Sequence, residues 1–146
     1  MRELPRQLSV DELAELFEGR TRLVELLAEL EDPLGQARRV AMQDLTPSER
    51  LEVVDAHPAI GAKKLSARSA AEQGADADPE VLPELERLNR EYEERHGFRF
   101  VVFVDRRPKA EILEVLRSRI DNATEQELDT ALAELVAIAQ DRWRRG

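Results

Sequence analysis

His57 is the first residue of this chain that could transfer a proton near neutral pH. Pro58 follows it, and the residue before a proline is disfavoured in helical geometry, so a helix that begins near Thr46 is expected to end at His57. A helix C-terminus stabilises a cationic imidazole by about 0.3–1 kcal/mol, and we therefore expect the pKa of His57 to lie near or above neutrality. Such a group suits general acid–base chemistry. The alternative is a histidine that only bonds a carbonyl group at the helix end.

Ser69, Glu72 and Gln73 form the second candidate group. In a helix they are spaced i, i+3 and i+4, so their side chains share one face. Their neighbours are mostly alanine, which leaves room for a ligand to approach closely. A carboxylate there could act as acid or base, while the hydroxyl and the amide bind polar groups. The alternative is a solvated helix face, where glutamate is usually found.

Arg142 is the third candidate, because it lies four residues after Ile138 in an otherwise apolar stretch of the last predicted helix. An arginine in that setting could bind a carboxylate through two parallel hydrogen bonds. A surface arginine near a helix C-terminus is the alternative. We interpret Trp143 as a core residue, and His96, which precedes Gly97, as a cation in the last turn of its helix.

The composition excludes several kinds of site. The chain has no cysteine, which rules out disulfides, thiolate nucleophiles and cysteine-ligated metal centres. Its two histidines argue against a multi-histidine metal site. A net charge of −9 argues against nucleic acid as a partner, because binding phosphates needs a basic face.

The sequence also bears on where the protein works. No apolar run approaches the roughly 20 residues that cross a bilayer, so we expect no membrane partner. The first seven residues lack the apolar segment of a secretory signal. A chain without cysteine suits a reducing compartment, and we expect a cytoplasmic location.

The elements that must position these residues are helices. Ser9 with Glu12 and Thr46 with Glu49 have the spacing of capping boxes, which open helices. The predicted helices cover residues 9–18, 21–31, 34–43, 46–57, 66–73, 79–96, 108–122 and 124–145.

Residues 98–105 form the one β-like run, and one strand cannot make a sheet within this chain. We interpret it as a buried extended connector; strand pairing across a dimer is the lesser alternative. A length of 146 residues fits a single domain over residues 1–146. The predicted fold is therefore all-α, a single-domain bundle of about seven to eight helices with one extended apolar connector.

Three blocks of sequence, taken in order, resemble one known family. They are His57-Pro58-Ala-Ile-Gly61, Ser69-Ala-Ala-Glu72-Gln73-Gly74 and Leu88-Asn89-Arg-Glu-Tyr92-Glu-Glu-Arg-His-Gly97-Phe98-Arg-Phe100-Val-Val. This order resembles the family of 2-oxo-4-hydroxy-4-carboxy-5-ureidoimidazoline (OHCU) decarboxylase. The resemblance extends from about Ser9 to Arg142.

The resemblance implies an all-α fold, usually a homodimer, with no metal and no organic cofactor. It implies that His57 and Glu72 are the acid–base pair, and that Arg142 is the family's late arginine. The residues implied to bind substrate are Pro58, Ser69 and Gln73 through the pocket wall, and Phe100, Val101, Val102, Phe103 and Val104 through backbone groups.

The sequence departs from the family pattern at two places. His96 stands where the family usually has phenylalanine, and the connector is only loosely similar beyond Val102. Neither departure touches His57 or Glu72.

The implied reaction is the last step from urate to (S)-allantoin. The substrate carries a carboxylate and a hydroxyl on one ring carbon, beside a C=N bond that can accept the electrons released with CO2. This electron sink explains why no cofactor would be needed. We expect His57 to handle the hydroxyl and help orient the carboxylate, and Glu72 to bind the ureido and ring nitrogens and assist proton transfer; the two roles could be exchanged.

Two other interpretations stay open. A helical interaction module would have an exposed apolar groove and would not depend on His57. A member of the same family could instead act on a related ureido-imidazoline acid. A helical peroxidase that uses a cysteine pair is excluded, since the chain has no cysteine.

Overall fold

The computed structural model describes residues 3–57 and 81–145. Those residues contain seven α-helices and no strand, which confirms the predicted all-α fold. In chain order the helices are α1 (Val10–Phe17), α2 (Arg22–Leu27), α3 (Pro33–Gln43), α4 (Pro47–Ala56), α5 (Val81–His96), α6 (Lys109–Arg119) and α7 (Thr124–Arg145). The helix predicted over 66–73 lies outside the described residues.

Both predicted capping boxes open helices. The Ser9 hydroxyl accepts from the Glu12 backbone N–H at 3.1 Å, and the Glu12 carboxylate accepts from the Ser9 N–H at 3.1 Å. Thr46 and Glu49 make the same pair of bonds at the start of α4. A short polar side chain before an apolar run satisfies backbone donors that the helix itself leaves unpaired, so these two starts could be placed from local sequence.

Three helix ends differ from the prediction. The left-handed residue that ends α1 is Glu18, with φ of 65° and ψ of 19°, rather than the glycine after it. A side chain in this region costs about 1–2 kcal/mol relative to the right-handed one. α2 ends at Leu27 rather than at residue 31, because backbone hydrogen bonds between residues three apart form a turn there. α6 ends at Arg119 rather than at residue 122.

α7 is the central helix of the bundle. It packs against α1, α3 and α4, and α5 packs chiefly against α6. Its buried apolar residues recur with helical period on one side: Ala131, Leu132, Leu135, Val136, Ile138 and Ala139. Gln140 adds a side-chain bond to the Leu34 carbonyl at 2.8 Å, which ties α7 to α3. Trp143 is half-buried against the core, in line with its predicted place there.

The connector over 98–105 is non-helical and mostly buried, as predicted, but its last residue, Asp105, is exposed and left-handed, with φ of 48°. Phe98, Phe100, Val101, Val102 and Val104 are all buried. The described residues pair no strand with it, so its apolar side chains pack into the helical core instead of joining a sheet. The connector therefore belongs to the core and is held by its side chains.

A buried polar cluster joins the connector to the helices. Glu127 of α7 is fully buried and accepts from the Tyr92 hydroxyl at 2.7 Å, from Arg119 Nε at 2.9 Å and from the Asn122 amide at 3.0 Å. Arg119 also donates to the Val101 carbonyl at 2.8 Å. One carboxylate thus holds α5, α6 and α7 together.

His96 lies in the last turn of α5, as predicted, but it is buried. Its Nδ1 lies 2.8 Å from the Thr124 hydroxyl, and its Nε2 lies 3.0 Å from the Ile120 carbonyl oxygen. The His96 ring therefore links the end of α5 to the start of α7 through hydrogen bonds. A phenylalanine at this position would fill the space and lose both bonds.

Within residues 3–57 and 81–145, no helix combines the length and the apolar character that crossing a bilayer requires.

Replacing Glu127 with alanine should lower the free energy of unfolding by about 3–5 kcal/mol, because it leaves the buried Arg119 guanidinium without its carboxylate. Urea denaturation followed by circular dichroism measures the loss. Glu94→Ala on the exposed side of α5 is the matched control, with an expected change within about 0.5 kcal/mol. A loss below about 1 kcal/mol for Glu127→Ala would contradict the role given to the cluster.

Candidate active site

His57 lies where the sequence predicts, directly after the last residue of α4. Its backbone is extended, with φ of −84° and ψ of 134°, and its N–H donates to the Val54 carbonyl at 3.2 Å. The helix stops here because Pro58, the next residue in the sequence, disfavours helical geometry at this position. The His57 side chain is buried, with 9% of the residue exposed.

Arg99 of the connector anchors this helix end. Its Nη1 donates to the His57 carbonyl oxygen at 2.9 Å. Carbonyl groups in the last turn of a helix lack partners within the helix, and Arg99 supplies one here. The connector and the end of α4 are thereby fixed to each other.

Arg142 is buried, with only 2% of the residue exposed, so the alternative of a surface arginine is wrong. Its Nη1 donates to the Leu16 carbonyl at 2.9 Å, and its Nη2 lies 3.1 Å from Glu18 Oε1. Both partners belong to the end of α1. A buried guanidinium needs such partners, because an uncompensated charge in the interior is costly.

The pKa of His57 is lowered from 6.5 to about 4, and burial is the largest cause. Within this shift, the positive charges of Arg142 and Arg99 also lower the pKa, and the negative charge of Glu18 raises it. The expected pKa near or above neutrality is therefore wrong. The helix terminus contributes less than about 1 kcal/mol, whereas a shift of this size corresponds to about 3 kcal/mol, so burial dominates.

A neutral imidazole and three charged side chains thus share one region. His57 is neutral at pH 7, and Arg142, Glu18 and Arg99 are close enough to act on its pKa. Two of these groups are positive and one is negative, so the surroundings of the imidazole favour an anionic ligand. The arrangement can bind an anion beside a base that holds no proton.

Several carbonyl groups of the connector already have hydrogen-bond partners. The Val101 carbonyl accepts from Arg119, and those of Phe103 and Val104 accept from Arg107. Among the residues that the structure describes, the backbone N–H groups of 100–104 have no hydrogen-bond partner. Within the described residues, this segment therefore offers its backbone N–H donors together with the carbonyl groups of Phe100 and Val102.

Four predicted site residues lie outside the described residues: Pro58, Ser69, Glu72 and Gln73. The pairing of His57 with Glu72 therefore stays a prediction. Of the others, the structure brings His57 and Arg142 into one electrostatic neighbourhood and ties the connector to His57 through Arg99.

Sequence reasoning missed Glu18 and Arg99. Arg99 stands inside the quoted Gly97-Phe98 block, and its position between two buried aromatic residues was the available signal. Glu18 directly precedes Gly19, and local sequence gave no sign that the carboxylate would reach α7.

No group of three metal-ligating side chains occurs in the described part of the chain. A surface groove of about 930 Å³ lies between α3, α4 and the start of α7, and Arg38, Arg50 and Asp129 are among its lining residues. His57 and Arg142 do not line this groove, so it is separate from the candidate site.

Comparisons with known proteins identify the family of this chain. Residues 2–144 match the family model of OHCU decarboxylase. A 2-oxo-4-hydroxy-4-carboxy-5-ureidoimidazoline decarboxylase of Haloferax volcanii is 36% identical over 118 residues, which are 76% of this chain and 69% of the relative. One of Halalkalicoccus jeotgali is 31% identical over 113 residues, 74% of this chain and 64% of the relative. The matched part thus spans about two thirds of these relatives.

The fold is also similar to a solved structure. A crystal structure of an OHCU decarboxylase, determined in the presence of (S)-allantoin, superposes with a TM-score of 0.76. It is 23% identical in sequence, and the superposition covers 90% of this chain and 94% of that one. The match over nearly the whole sequence shows that this chain belongs to the OHCU decarboxylase family.

Proposed function

We propose that this chain decarboxylates OHCU to (S)-allantoin without a cofactor, with His57 and Glu72 as its acid–base pair. The observation that carries the proposal is a buried, neutral imidazole with a buried guanidinium close by, in a chain of this family. Pro58, Ser69 and Gln73 complete the pocket in this proposal, and the connector contributes its backbone.

The neutral state of His57 suits its proposed role as the general base. A neutral imidazole can accept the hydroxyl proton of the substrate, whereas an imidazolium cannot. A pKa of about 4 makes the free enzyme a weak base, but the carboxylate of a bound substrate favours the charged imidazole and raises that pKa. Substrate binding would therefore strengthen the base when it is needed.

Arg142 supplies the positive charge for the substrate carboxylate. Its guanidinium is held in a fixed plane by Leu16 and Glu18, and arginine binds carboxylates with defined orientation. An oriented carboxylate can leave perpendicular to the ring plane, where the breaking bond overlaps the adjacent C=N bond. This contact is already made when the substrate binds, so it contributes to substrate binding before the chemical step.

The reaction balances without an added reagent. The bond between the ring carbon and CO2 breaks, its electron pair forms a C=C bond to the ureido carbon, and the electrons of the C=N bond move to the ring nitrogen, which takes up a proton from water. The hydroxyl proton passes to a base, the hydroxyl carbon becomes a carbonyl, and one proton is delivered to one face of the ureido carbon. The backbone donors over residues 100–104 could bind the oxygen atoms of the ureido group and the ring.

The proposal extends to the assembly and location of the protein. The family resemblance supports a homodimer of a single-domain chain. The absence of cysteine supports a reducing, cytoplasmic compartment.

Replacing His57 with asparagine should lower turnover of freshly prepared OHCU by about 10²–10⁴-fold, because proton transfer loses its acceptor. Glu72→Gln should have an effect of similar size in the same assay. Circular dichroism follows excess (S)-allantoin over the racemate that forms spontaneously. Glu86→Gln, on the exposed side of α5, is the control and should match the wild-type chain.

Near-wild-type turnover in folded His57→Asn would remove His57 from the mechanism. A wild-type chain that forms no excess (S)-allantoin would reject the proposed function altogether, in favour of a related substrate or an interaction module.

The stability of the folded chain should depend on His57 between about pH 6.5 and pH 4. The unfolded chain binds the proton near 6.5 and the folded chain only near 4, so acid favours unfolding in this window. The contribution of the neutral His57 ring to the free energy of unfolding is complete above pH 6.5, and it falls by up to about 3 kcal/mol as the pH approaches 4. Urea denaturation of wild type and His57→Asn across this window measures it, and a difference between them that does not change with pH would contradict the burial of a neutral ring.

A homodimer should appear at twice the mass of 16.7 kDa in light scattering after size-exclusion chromatography. A single species at the monomer mass, at the concentrations of the activity assay, would reject the dimer.

A further inference from the structure

Glu18 occupies a backbone position that is usually left to glycine. It ends α1 in the left-handed region, with φ of 65°, and its N–H donates to the Ala14 carbonyl. Glycine at such a helix end has no Cβ and adopts this conformation without strain. Gly19 is the next residue, so a helix one residue longer would have placed a glycine in this conformation. A glutamate held in this conformation points to a role for its side chain.

The side chain of Glu18 meets Arg142. Glu18 Oε1 lies 3.1 Å from Arg142 Nη2, with 14% of the Glu18 side chain and 1% of the Arg142 side chain exposed. The Leu16 carbonyl accepts from the other terminal nitrogen, Nη1, at 2.9 Å. Because the guanidinium is planar, two partners on different nitrogens fix both its position and the direction of its plane.

Glu18 also acts on His57. Its negative charge raises the pKa of the imidazole, against the opposite effect of Arg142 and Arg99. Among the charged groups that influence this ring, Glu18 is the one carboxylate in the described part of the chain. It therefore balances two cations around a buried base.

We propose that Glu18 is a positioning residue of the active site, which aims the Arg142 guanidinium at the carboxylate of the substrate. This inference rests on the proposed function, since it takes Arg142 as the group that binds the substrate carboxylate. Glu18 acts through Arg142 and need not touch the substrate itself.

Loss of the Glu18 carboxylate should weaken substrate binding. The carboxylate is present in the bound substrate and is lost in the reaction, so its contact with Arg142 is already made in the ground state. An arginine that has lost its orientation would bind the substrate less tightly, and the rate of the chemical step would change less. Such a loss raises KM more than it lowers kcat.

Glu18→Gln is the first test, because glutamine keeps the shape and removes the charge. We expect KM for OHCU to rise at least about tenfold while kcat stays within about threefold. Glu15→Gln is the matched control: it makes the same charge change on the same helix at an exposed position, and should leave both constants unchanged.

Glu18→Gly is the second test, since glycine suits the left-handed backbone and favours a folded variant even if the glutamine variant unfolds. It should show the same rise in KM. A residue that only neutralises a buried arginine would lower the melting temperature and leave KM of the folded enzyme unchanged. That result, in either folded variant, would overturn the inference.

Imidazole signals in NMR spectra give a readout that does not depend on turnover, because the chain has only two histidines. Glu18→Gln should shift the His57 signals and leave those of His96, which bonds Thr124 and Ile120, in place. Unchanged His57 signals would contradict the electrostatic interaction between Glu18 and His57. If the wild-type chain is inactive on OHCU, the proposed function fails; if it is active and Glu18→Gln behaves like it, only the present inference fails.

Discussion

A buried positive charge near the end of the last helix constrains much of this structure. Arg142 is almost fully buried, and a guanidinium in that position must be paired and hydrogen-bonded or it destabilises the fold. Two of its partners, the Leu16 carbonyl and the Glu18 carboxylate, come from the end of α1, more than a hundred residues earlier in the chain. That requirement brings the first and last helices together, and it explains why a glutamate occupies a left-handed position at the end of α1. The same interaction places a fixed cation beside the end of α4.

The end of α4 shows how two opposing effects on a histidine are resolved. The helix terminus favours the imidazolium, but its contribution is small and local. Burial removes the ring from water, and two neighbouring arginines repel a third positive charge, so the neutral form prevails. A neutral base among charged side chains that are held in place is preorganised for an anion: when a carboxylate enters, these side chains need not move, while the affinity of the imidazole for a proton increases.

The parts of this fold that could be predicted from the sequence are those decided by neighbouring residues. Thr46 and Glu49 open α4 whatever surrounds them, and Pro58 ends helical geometry at the residue before it. The apolar run after Gly97 was identifiable as a connector for the same local reason. The partners of Arg142, His96 and Arg119 could not be placed, because each side chain bonds groups that are far away in sequence or supplied by another element. The pKa of His57 was missed for a related reason: helix position is local, but burial depends on the whole bundle.

The connector links the two polar clusters, and this explains why an extended segment is retained in a helical protein. At one point Arg119, which Glu127 holds, binds the Val101 carbonyl; at another, Arg99 binds the His57 carbonyl. A helix over the same residues would satisfy its own donors and acceptors and would have none to offer. An extended backbone leaves peptide groups for other partners, and the buried side chains of Phe100 and Val102 fix those groups in place. In the proposed function, the same segment that holds the end of α4 at His57 would also supply backbone donors to the substrate.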